Sequence, residues 1–271
     1  MCFLLGGLLT LLSFSVDAGR KRISEEAFPT RFTEADIEKE IEFGRNMAAQ
    51  LLADYKLVDD FELVRYVNLV GNAVLQNASR QEIKFYFGVI ESKEINAYAT
   101  PGGYIFITTS AFEYVQSEAE LAAILAHEIA HVVERHIVKV LKIKAISDSS
   151  TKLLEQLVSS SSATAETLFD RAIERAFGIL YSQGLKIEDE FNADKLGLLL
   201  TVMAGYDANS YLEYLKRIEP LVNTEEQQIT KTHPPIESRI NALKTSDETE
   251  GLFSLNGYRN TNRLIKKKIL E

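Results

Sequence analysis

The stretch LAAILAHEIAHVVERH, residues 121–136, permits few folds. Leu121, Ile124, Leu125, Ile129, Val132 and Val133 recur at the spacing of a helix buried over most of its surface. Into that helix are set His127, Glu128 and His131, in the pattern H-E-x-x-H. Ionisable groups on a buried helix are costly unless something pairs them. Residues four apart lie one above the other, so His127 and His131 can aim two imidazole nitrogens at one metal ion. Zinc accepts such nitrogens, and Glu128, one position round, reaches a water held there as its general base. The bland alternative is a core helix that happens to carry histidines. The chain has only four histidines and three fall in this stretch, which favours the metal.

His136 stands nine residues after His127, half a turn out of phase if the helix continues, and is expected on the surface. The subtype H-E-x-x-H-x-x-G-x-x-H is excluded, because Glu134 and Ile137 occupy its glycine and third histidine positions.

A third protein ligand is sought in KIEDEFNADKLGLLL, residues 186–200. Glu190 and Asp194 are one helical turn apart, and their face continues through Ala193, Gly197 and Thr201, all small enough for another helix to approach closely. Glu190 can ligate the metal. Asp194 can accept a hydrogen bond from a ligand imidazole and fix its tautomer. Glu188 points to nearly the opposite side. His233, opening HPPIESR, is presented by a loop stiffened by two prolines and is a candidate fourth, inhibitory ligand; local hydrogen bonding is its alternative role. Arg239 is the candidate oxyanion donor, with pairing of an acidic residue as the alternative.

Composition limits the rest. With 271 residues, 46% apolar and 25% charged, the chain can bury a core. A net charge of −9 argues against a nucleic-acid partner. The single cysteine, Cys2, rules out a disulfide framework and a thiolate zinc site. Cys2 to about Val16 is apolar but short of the ~20 residues of a membrane span. Residues 1–18 are therefore read as a signal peptide cut after Ala18 or as an uncleaved membrane anchor, giving export to the periplasm or cell envelope with membrane association through this segment.

Periodicity predicts helices over 33–55, 60–76, 166–181, 187–204, 207–218 and 236–244, and one long helix over 117–143. Strands are expected within 83–90 and over Tyr104–Thr108, the latter after a Pro-Gly-Gly turn. The serine-rich stretch 147–165 is read as mobile connections flanking a lid.

Four elements together, HEIAH, EFNAD, NAYATPGGYIFIT and THPPIESR, give the chain a resemblance to the HtpX/BepA-type zinc metallopeptidases, gluzincins related to the CAAX prenyl proteases and mitochondrial Oma peptidases. It covers about residues 33–245. The resemblance implies an α+β, predominantly helical peptidase domain with a small, mainly antiparallel sheet packed on the active-site helix. It implies one zinc ion on His127, His131 and Glu190, Glu128 as base, and Asp194 orienting a ligand. The expected organisation is residues 19–250 as the peptidase domain and 251–271 as a tail, a minimal exported member without a tetratricopeptide module. Peptide or unfolded protein would be the substrate, with misfolded envelope proteins as the implied class. A strand at the sheet edge would receive it, with Asn96, Gly102, Gly103 and Tyr104 as the candidates; an ordinary buried hairpin explains the same apolar alternation equally well. The rival reading is a non-enzymatic, chaperone-like protein with a vestigial zinc site, which the presence of Glu128 disfavours.

Overall fold

The computed structural model describes residues 32–141, 165–222 and 232–255; the leader, the serine-rich stretch and most of the C-terminal tail lie outside them. Helix α1 (Glu34–Asp54) starts at Thr33, whose hydroxyl accepts from Asp36 N while the Asp36 carboxylate accepts from Thr33 N, so two otherwise unpaired amides are satisfied. Helix α2 (Phe61–Leu75) is capped by the Asp60 side chain. Three short strands follow: β1 (Tyr86–Ile90), β2 (Ala97–Thr100) and β3 (Tyr104–Thr108). A short helix α3 (Thr109–Glu113) leads to α4 (Glu118–Val133), capped by Ser117 and carrying the H-E-x-x-H residues. Then come α5 (His136–Leu141), α6 (Ala165–Gly178, continuing as a π-helical turn), α7 (Ile187–Met203), α8 (Asn209–Val222) and α9 (Ile236–Thr245). Among the described residues no helix is long and apolar enough to cross a membrane.

Every residue of α4 from Ala119 to Val133 is buried. The helix is the centre of the core, with α2, the sheet, α7 and α8 packed round it. Fully burying a side chain such as Leu121, Leu125 or Ile129 stabilises by about 1.5–3 kcal/mol. The sheet is mixed: β3 lies in the middle, parallel to β1 and antiparallel to β2. The predominantly helical α+β expectation holds, while the sheet is half parallel where a mainly antiparallel one was expected.

The position of β3 corrects the reading of the substrate strand. Tyr104 opens a central strand with both sides occupied, and its ring stacks on Tyr86 at 5.1 Å. Gly102 and Gly103 are buried with φ of 74° and 92°, and a Cβ on Gly102 would lie 2.7 Å from the Ile41 Cα, so they shape a turn beneath α1. Asn96 spends its side-chain oxygen on Ala97 N, just ahead of β2. The edge strand beside the H-E-x-x-H helix is β2.

The expected long helix is broken. It ends at Val133, and Arg135 takes a left-handed conformation (φ 54°) before α5 begins. Tertiary contacts override local propensity here. The carboxylate of Glu40 on α1, itself 2% exposed, accepts from Arg80 Nη1 (2.6 Å) and Nη2 (3.1 Å) and from Arg135 Nε (3.0 Å). Arg80 also donates to the Val132 carbonyl at the helix end, where positive charge suits the macrodipole.

Removing one partner of a buried ion pair leaves the other uncompensated. Glu40→Ala should therefore destabilise the fold by about 3–5 kcal/mol in a urea titration. Glu42→Ala, which removes an exposed pair with Lys39, should cost about 1 kcal/mol or less.

Candidate active site

The site is assembled where α7 crosses α4. A Cβ on Gly197 would lie 2.9 Å from both N and Cα of His127, so only glycine permits this approach. It brings the carboxylates of Glu190 and Asp194, both 1% exposed, onto the His127 ring. His127 Nδ1 lies 2.9 Å from Asp194 Oδ1. A carboxylate only accepts, so that nitrogen carries the proton and Nε2 presents a lone pair.

His127 Nε2 and His131 Nε2 are 3.0 Å apart, and Glu190 Oε2 and Oε1 lie 3.8 and 3.6 Å from them. Ligands about 2.0–2.1 Å from a tetrahedral zinc are separated by roughly 3.3–3.4 Å, so this spacing fits such an ion. The donor set, all imidazole and carboxylate, suits zinc as well. His233 Nδ1 approaches Glu190 Oε2 at 2.5 Å, and donor atoms of His127, Glu190 and His233 lie within 4.8 Å of one another.

Electrostatics favour the ligand forms. Burial lowers the proton affinity of His127, against the pull of Asp194, and lowers that of His131 further, so both rings are neutral. Burial alone would raise Glu190 and Asp194. The contact with His233 reverses this for Glu190, and Arg239 for Asp194, so both are held below the usual carboxylate range. Glu128 differs: burial, reinforced by Glu190, pushes its pKa up to about 8. Its side chain lines a cleft shared with His131, Glu190, His233 and the strand β2.

Two expectations change, and one residue of the site is new. Arg239 is buried and gives Nε to Asp194 Oδ2 (2.9 Å) and Nη2 to Asp194 Oδ1 (2.6 Å) and the Tyr211 hydroxyl (2.7 Å). Those donors are spent holding Asp194, so its geometry is that of an ion-pair partner rather than an oxyanion donor. His136, expected on the surface, is 1% exposed and touches His131, because the break at Arg135 changes its phase. Tyr211, which the sequence reading missed, donates to Asp194 Oδ1 at 2.8 Å; only its place on the buried face of α8 could have suggested it.

Peptidases of the H-E-x-x-H kind present their metal ligands on a helix in this way, and the arrangement of the site is that of the metallopeptidase class. The profile described as Peptidase family M48 matches residues 63–247, and the chain belongs to that family. It is 27% identical over 212 residues to the beta-barrel assembly-enhancing protease of Escherichia coli (strain K12), covering 75% of this chain and 43% of that protein. To the putative beta-barrel assembly-enhancing protease of Vibrio cholerae it is 28% identical over 208 residues, with 75% and 43% covered. To the mitochondrial metalloendopeptidase OMA1 of Schizosaccharomyces pombe it is 24% identical over 219 residues, with 79% and 63% covered. The chain thus spans less than half the length of the assembly-enhancing proteases it matches.

Glu190→Ala should remove the bound metal or weaken it severely. Glu188→Ala, at an exposed position of the same helix, should leave it unchanged. Metal content after dialysis distinguishes the two, and loss in the Glu188 variant alone would reverse the assignment.

Proposed function

We propose that the chain is a zinc-dependent endopeptidase that cleaves unfolded or misfolded proteins of the cell envelope. The observation that carries this reading is that one cleft holds Glu128, the convergent atoms of His131 and Glu190, and the edge strand Ala97–Thr100. His127, His131 and Glu190 would hold the ion. When bound, zinc supplies Lewis-acid polarisation of the scissile carbonyl and acidifies water. Glu128 takes a proton from the attacking water and delivers it to the leaving amine. Asp194, held by Arg239 and Tyr211, keeps His127 in the tautomer that presents Nε2. An extended peptide pairs its backbone with β2, which positions the scissile bond with little demand on side-chain identity.

The envelope assignment draws on the apolar leader and on the names of the assembly-enhancing relatives. His233 would serve in one of two ways: as an inhibitory fourth ligand in the resting state, which its place in the cleft wall supports, or as a local hydrogen-bond partner that shapes the cleft, which its 2.5 Å contact with Glu190 supports.

Glu128→Gln should retain zinc and lose most casein cleavage, and a chelator should abolish cleavage by the wild type. Full activity in either case would sink the mechanism, whereas no cleavage by the zinc-loaded wild type would favour a binding protein. His233→Ala should raise basal casein cleavage with zinc content unchanged; unchanged or lower activity would remove the inhibitory role and leave His233 as part of the cleft wall.

A further inference from the structure

The geometry points to His136 as a positioning residue for the metal ligand His131: it accepts the His131 Nδ1–H through its own Nδ1, and the left-handed turn at Arg135 puts it there. This rests on the zinc reading above. The two Nδ1 atoms are 2.9 Å apart and the rings meet edge to face, with centroids separated by 5.0 Å.

Two nitrogens at that distance need one proton between them, and the ligand role decides whose it is. If His131 Nε2 offers a lone pair to the metal, the His131 proton is on Nδ1. His136 Nδ1 is then the acceptor, and the His136 proton is on Nε2. That nitrogen is buried without a hydrogen-bond partner among the described residues and faces Asp189 Oδ1 at 3.9 Å. Each ligand imidazole is thereby held from behind. His127 is held by the carboxylate of Asp194, which Arg239 neutralises, and His131 by a second, uncharged imidazole. Behind His131 no negative charge is added, so Glu190 remains the single anion among the proposed ligands.

Arg135 explains the placement. On a continuous helix position 136 would lie about 140° round from His131. The φ of 54° breaks that phase, and Arg135 is fixed by Nε to Glu40 Oε2 (3.0 Å) and by its guanidinium lying 3.6 Å over the Phe32 ring. A non-glycine residue in this conformation is uncommon, and its retention beside a ligand is the pattern expected where strain serves a site.

The test uses the full chain, loaded with zinc in competition with a chelator of known affinity. His136→Ala and His136→Leu should weaken zinc binding about 10–100-fold. His136→Asn, whose Oδ1 can accept in place of Nδ1, should recover to within about threefold of wild type. Circular dichroism identifies any variant that fails to fold. Long-range 1H–15N spectra of the zinc-loaded wild type provide a second readout independent of stability, with a proton expected on His131 Nδ1 and on His136 Nε2. Leucine equal to wild type, asparagine as weak as alanine, or a proton on His136 Nδ1 would overturn the proposal. If wild type and His127→Ala bind zinc equally, the zinc reading itself has failed, and this inference with it.

Discussion

The close crossing of α7 over α4 at Gly197 is the contact on which the site depends. With no Cβ between them, the α7 backbone lies against the N and Cα of His127. Glu190 and Asp194 are on that same helix, and they take opposite sides of the His127 ring: Asp194 at Nδ1, Glu190 toward Nε2. One rigid element therefore supplies both the atom proposed to bind metal and the atom that sets the tautomer of a neighbouring ligand. Any side chain at 197 would displace the two carboxylates together.

Helix α4 has to be held along its axis as well as across it. Its apolar surface is rich in alanine and specifies depth of burial better than register. Both ends are clamped by buried ions. At the start, Glu120 accepts from Arg217 on α8 at 2.7 and 2.9 Å; at the end, Glu40 binds Arg80 and Arg135. Such pairs contribute little net stability compared with apolar residues of equal size. They do fix where each group must sit, and a metal site tolerates only about 0.5 Å of error in its ligands. The clamps are best understood as setting position rather than as adding stability.

This division explains what could be read from the sequence. The helices were legible because each buries a periodic face, and Glu190 and Asp194 because they lie one turn apart on a face continued by small residues. The end of α4 was not. Val132, Val133, Ile137 and Val138 keep an apolar run going, with no glycine or proline to interrupt it. The break comes from Glu40 and Arg80, which are distant in sequence, so His136 was assigned to the wrong side. The edge position of β2 was hidden for the same reason, since strand order is set by non-local pairing and Ala97–Thr100 is only four residues long. Arg239 and Tyr211 carried no local mark of their shared partner.

Glu128 joins the two halves of this reasoning. It sits in the helix that everything else holds still, where burial, reinforced by Glu190, pushes its pKa up to about 8. A carboxyl group in that state is a poor base. Positive charge in the cradle of His127, His131 and Glu190 acts in the opposite direction and favours the carboxylate. The raised folded-state pKa also means that Glu128 contributes stability that is fully present below the ordinary carboxylate pKa and is lost as pH rises through about 8. Burial of Glu128 is therefore tolerable because the group stays neutral, and the same low-dielectric surroundings would strengthen its interaction with any positive charge placed beside it.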